Sequence, residues 1–197
     1  MTTDLKSELL APLRSARALM LAKLDGLSEY DRRRPFTPTG TNLLGLVKHL
    51  AGLEYGYLGA SLGRPPVEMP SWFLDDPDSE NDMWAAPHES SEYITAVYRQ
   101  VCAHADATIA ELDLDSPARV AHWPEERQAT TLGVLLVRMV AETAQHAGHA
   151  DIIRELIDGS TSDDGYSPAA DSPFWLDRKR QVQEAADEFR EAPSDTP

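Results

Sequence analysis

Apolar residues return every three or four positions through four long stretches of this chain, and no stretch alternates at strand length. A period near 3.6 turns one face of a segment inward only if that segment is helical, so the pattern restricts the fold to an assembly of helices. The first stretch runs from Asp4 to about Gly26 and sets Leu9, Leu13, Ala16, Met20 and Leu24 on one side. The second, which Thr41 or Asn42 can cap, carries Leu43, Leu46, Leu50, Leu53 and Tyr57 and stops at Gly63 before Pro65 and Pro66. The third spans about Glu89 to Leu112, with Ile94, Tyr98, Val101, Ala105 and Ile109 inward. The fourth, which Thr130 can cap, runs from Leu132 to about Asp158 and is closed by Gly159. A short fifth helix is expected from Phe174 to Glu191, with the terminal APSDTP disordered.

A chain of 197 residues supports one core of this kind. The expected fold is all-α: a four-helix bundle over residues 1–160, with long acidic loops. Residues 161–197 form an acidic loop and a short C-terminal helix or tail, packed on the bundle or extending from it. The connection from Gly63 to Glu89 carries Trp72, Phe73 and Trp84 and is long enough to serve as a lid or pocket wall.

Charge narrows the range of partners. The chain has 33 acids against 18 bases, a formal net charge of -15. Two segments hold no base at all: one contains Glu68, Asp75, Asp76, Asp78, Glu80, Asp82, Glu89 and Glu92, the other Glu155, Asp158, Asp163, Asp164, Asp171 and Asp177. Such a balance repels a phosphate backbone and an anionic bilayer, so neither nucleic acid nor membrane is expected as partner. No apolar run approaches the roughly 20 residues that span a bilayer. The N-terminal MTTDLKSELLAPLRSA has no signal-peptide pattern and Cys102 is the single cysteine, so a cytoplasmic location is expected. Cys102 falls on the apolar side of the third helix and reads as an inert core thiol.

Chemistry is concentrated on the fourth helix, in Glu142-Thr-Ala-Gln-His146-Ala-Gly-His149. Residues four apart share a helix face, so Glu142 and His146 point the same way and His149 lies one turn further along. They stand in line with Leu135, Met139 and Ile153, where unpartnered polar groups would cost several kcal/mol to bury. On the second helix, His49 falls between Leu46 and Leu53 at inward spacings. Together His49, Glu142 and His146 offer two imidazoles and a carboxylate, a three-ligand set with open positions of the catalytic type. The same residues also match a hydrogen-bonded core histidine and a surface Glu–His pair, and spacing alone leaves those readings open. No Gly-x-Ser-x-Gly elbow and no Gly-rich phosphate loop occurs.

PFTPTGTNLLGLVKHLAGLEYGYL, followed some ninety residues later by LGVLLVRMVAETAQHAGHADIIRE, resembles the DinB-like superfamily of metal-binding four-helix bundles. More narrowly it resembles the actinobacterial branch associated with mycothiol-dependent S-transferases. The resemblance covers roughly residues 5 to 160 and implies that His49, Glu142 and His146 hold a divalent metal, Zn²⁺ first, with Ni²⁺ or Fe²⁺ compatible. A carboxylate at Glu142 is similar to the mycothiol-dependent maleylpyruvate isomerase arrangement, where many relatives carry His. His149, where relatives often carry Gln, is then a group behind the ligands or facing substrate that moves a proton.

The function so implied is a metal-dependent thiol S-transferase, with mycothiol as thiol co-substrate and a small electrophile as acceptor. A hydrolase using metal-bound hydroxide, and a non-enzymatic metal-binding bundle, are the alternatives. A homodimer is expected because bundles of this kind often expose an apolar helix face.

Overall fold

The computed structural model describes residues 4–66, 71–74, 81–160 and 172–190. The chain divides into two units, residues 1–153 and 154–197. In the first lie α1 (Leu5–Ala22), α2 (Glu29–Arg33), α3 (Leu43–Leu58), α4 (Ser91–Glu111) and α5 (Glu125–Gln128), and α6 (Leu132–Asp158) begins there. The four long helices α1, α3, α4 and α6 are those the periodicity predicts, and they form an all-α four-helix bundle.

Local chemistry sets the helix starts. The Asn42 side-chain oxygen accepts from the Gly45 amide at 2.8 Å, and the Ser90 hydroxyl accepts from the Tyr93 amide at 3.1 Å. Each satisfies an amide that a helix start leaves without a partner. At α6 the expectation fails. Thr130 lies in a strand, and the Leu132 and Gly133 amides donate to the carbonyls of Ser116 and Leu114 at 3.0 and 2.8 Å. A Cβ on Gly133 would stand 3.0 Å from that Leu114 oxygen, a tight approach that glycine makes without displacing its neighbour.

Among the described residues that strand is one of two, a feature periodicity missed. Strands β1 (Pro117–Arg119) and β2 (Ala129–Thr131) pair antiparallel, Ala118 opposite Thr130. Three residues are too few for alternation to register as a signal. Strand β2 passes into α6 with no residue between.

Helix α3 is the centre of the unit, packed mainly against α4 and buried from Leu43 to Lys48 without a gap. An amphipathic stripe was expected there; an almost fully enclosed helix is found, and it takes the charged Lys48 and Glu54 inside with it. Arg17 of α1 meets Glu54 through two hydrogen bonds of 2.6 Å and Asp106 of α4 through a third of 2.7 Å. Around them Leu13, Leu58, Ile109, Leu132, Leu135, Leu136 and Met139 make a continuous apolar core.

The second unit contains the end of α6, where Arg154 pairs with Asp158, and α7 (Pro173–Asp187), none of whose side chains is buried. The acidic loop expected at 161–171 and the APSDTP tail lie outside the described residues. Among the described residues, no helix is long and apolar enough to cross a membrane.

Candidate functional site

The site lies along the seam between α3 and α6. His49 meets His146 edge-on with ring centroids 5.1 Å apart, and eight residues further along α3 Tyr57 meets Arg138, eight residues back along α6. The opposite directions of those steps show that the helices run antiparallel, so residues from two distant stretches of sequence form one polar row.

On α6 the buried stripe runs through Leu135, Met139, Thr143, Ala147, Ala150 and Ile153. It therefore passes beside the polar trio, not through it. At about 100° per residue, His146 lies nearest the stripe, Glu142 at its margin and His149 outermost. Exposure follows that order: the His146 side chain is 12% exposed, Glu142 26%, and His149 is exposed to solvent.

The His146 ring is held neutral. Burial first, then the neighbouring rings of His49 and His149, pulls its pKa from 6.5 to about 4, against the opposing charge of Glu142. Its Nε2 stands 3.9 Å from one Glu142 oxygen, and its Nδ1 is buried with no hydrogen-bond partner. The other Glu142 oxygen lies 3.3 Å from Arg138. The Arg138 guanidinium sits over the rings of Tyr57 and Trp123, 5.3 and 5.4 Å from their centroids, and the Trp123 indole donates to the Tyr57 hydroxyl at 3.4 Å. His149 contacts His146 with ring centroids 5.5 Å apart.

His49 has a partner that the sequence reading did not single out. Its Nδ1 lies 2.6 Å from a carboxylate oxygen of Asp82, and this bond holds the Asp82 carboxyl below the usual carboxylate range. Asp82 belongs to a 3-10 turn, Asn81–Met83, that is fastened to α3. The buried Lys48 ammonium donates to the Asn81 and Trp84 carbonyls at 2.8 and 3.0 Å and pairs with Glu89 at 2.9 Å. The Asn42 amide donates to the Met83 carbonyl at 3.2 Å. A Cβ on Gly45 would fall 1.8 Å from that same oxygen, so only glycine admits the turn. Beside this clasp, a cavity of about 320 Å³ is walled by Trp72, Trp84, His88 and Glu89, which fits the pocket wall expected of the connection.

The structure thus brings His49, Glu142, His146 and His149 together, and adds Asp82 and Arg138. Among the described residues, no three His, Cys, Asp or Glu donors are gathered tightly enough to hold a metal ion in this arrangement. The donor chemistry nevertheless suits a divalent ion: two imidazoles, one kept unprotonated with a buried orphan nitrogen, the other backed by a carboxylate, and a third ligand type one turn away. Cys102 is set apart from this row. Burial, with the Glu54 carboxylate near, pushes its thiol well up, so it stays protonated as the sequence implied.

The all-α bundle is consistent with the DinB-like fold expected from the sequence. A crystal structure of a conserved protein from Enterococcus faecalis matches with a TM-score of 0.61, covering 81% of this chain and 100% of its own at 15% sequence identity. At that identity the likeness is one of fold. The curated proteins contain no significant match. The sequence model of the mycothiol-S-transferase family matches residues 8–159, and the chain belongs to that family.

Proposed function

We propose that the protein is a divalent-metal-dependent S-transferase that joins the sulfur of mycothiol to a small electrophile. The observation that carries this reading is the contact between His49 and His146 across the α3–α6 seam, with Glu142 beside them, in a chain of the mycothiol-S-transferase family. His49, Glu142 and His146 are the residues that would hold the ion, with Zn²⁺ the first candidate and Ni²⁺ and Fe²⁺ compatible. Such an ion lowers the pKa of a thiol it binds, which makes the thiolate available near neutral pH.

The remaining work belongs to the protein. Burial keeps His146 unprotonated, so its lone pair is available as a ligand. Arg138, braced by Tyr57 and Trp123, holds one oxygen of Glu142 and leaves the other on the side of His146. His149, at the exposed edge of the row, takes up the proton that the thiol releases. The sulfur then attacks the electrophilic carbon and the leaving group departs with its electron pair.

Two measurements on purified protein test this. Elemental analysis is expected to find about one divalent ion per chain in the wild type and less than about a tenth of that in His49→Ala and His146→Ala. Conjugation of chlorodinitrobenzene is expected to require mycothiol and to vanish in both variants. Equal metal content in all three proteins removes the site, and turnover without thiol removes the transferase.

A further inference from the structure

The three residues of the Asn81–Met83 turn each engage α3, and two of the engagements are in register. The Asn81 carbonyl accepts from Lys48 at 2.8 Å, and the Asp82 carboxylate meets the next residue, His49, at 2.6 Å. The Met83 carbonyl accepts from Asn42 and closes over Gly45. Glu89 completes the hold, accepting from Lys48 at 2.9 Å and from the Ala86 amide at 2.7 Å. A turn fixed at every residue cannot slip along the helix, so Asp82 is aimed at His49 by the fold and not by its own flexibility.

What that aim achieves follows from the donor inventory. A carboxylate only accepts, so a neutral imidazole bonded to it through Nδ1 carries its proton there, and the lone pair is left on Nε2. A free imidazole side chain in water prefers the reverse, with the proton on Nε2. The carboxylate therefore decides which nitrogen can act as a ligand or base.

We propose that Asp82 is a positioning residue: clasped to α3 by the Lys48–Glu89 pair, it fixes His49 in the Nδ1–H form and leaves Nε2 as the ring's ligating nitrogen. The use made of that nitrogen rests on the proposed function. The ring form itself does not, and it is read without any thiol.

The test is ¹⁵N NMR of the histidine rings in the full chain, freed of metal by a chelator, at mildly alkaline pH. Wild type is expected to show His49 protonated on Nδ1. Asp82→Ala is expected to move the proton largely to Nε2, and Asp82→Glu, which keeps the acceptor, to restore it. Gly45→Ala leaves the carboxylate in the chain but forces the Met83 carbonyl aside, and it is expected to lose the Nδ1–H signature as well. Zn²⁺ titration against a competing chelator reads the consequence, a loss of about 10- to 100-fold in affinity for Asp82→Ala. A wild-type ring already protonated on Nε2, or a ring unchanged by Asp82→Ala, overturns the proposal; a ring unchanged by Gly45→Ala overturns the clasp. The expected ring pattern in a protein that transfers no thiol upholds Asp82 and removes the transferase reading instead.

Discussion

His146 makes the stability of the metal-free protein depend on pH in a defined window. Its pKa falls from 6.5 unfolded to about 4 folded, chiefly through burial. Between those values the unfolded chain binds a proton that the folded chain refuses. The contribution of this ring is therefore full above about pH 6.5, declines as pH drops, and is exhausted near pH 4, for a total on the order of 3 kcal/mol. Urea unfolding of chelator-treated protein at a series of pH values is expected to show this slope, and His146→Gln to flatten it; equal slopes would mean the ring is not withheld from protons. One turn away, the Thr143 hydroxyl is buried with no hydrogen-bond partner, a cost that a methyl group of the same shape avoids. Thr143→Val is expected to raise the melting temperature by a few degrees, worth about 1 kcal/mol.

Among the helices, one guanidinium holds three together: Arg17 reaches from α1 to Glu54 on α3 and Asp106 on α4. Burial pushes the Glu54 carboxyl up and Arg17 opposes it, so the pair stands only as a pair. Arg17→Met or Glu54→Leu alone is expected to cost about 3–5 kcal/mol in denaturant unfolding, while the double variant recovers much of the loss. Additive losses would show that the two residues do not depend on each other. This network was not legible in the sequence, because a periodic pattern presumes one wet face and α3 has almost none. His49 was legible because it interrupts leucines at inward spacings, and Glu142 and His146 because four residues make one turn. Asp82 sits 33 positions from its partner, in a connection whose composition reads only as acidic. Nothing local marks the one carboxylate that the Lys48 clasp selects. Strands β1 and β2 escaped notice for the opposite reason, being too short to carry a period.

Over the whole molecule, the excess of acids is expected to set a preference among thiols in the proposed reaction. With a formal charge of -15, the protein repels an anionic thiol such as glutathione and is indifferent to a neutral one. Added salt is expected to raise whatever rate glutathione supports, by screening, and to leave the mycothiol rate nearly flat. A salt-independent glutathione rate would show that the charge does not reach the site. The junction of β2 with α6 bears on the proposed site from a distance. Leu132 and Gly133 are tied to fixed carbonyls, so the hairpin acts as a keyway that sets the rotational phase of α6. Each added residue advances a helix by about 100°. One alanine inserted between Val137 and Arg138 would turn Glu142 and His146 out of the seam together, while the same insertion ahead of β2, in the turn at Ala121–Pro124, would leave their heading untouched. In this bundle the heading of Glu142 and His146 is decided ten residues upstream, by two backbone hydrogen bonds and a tight approach at Gly133.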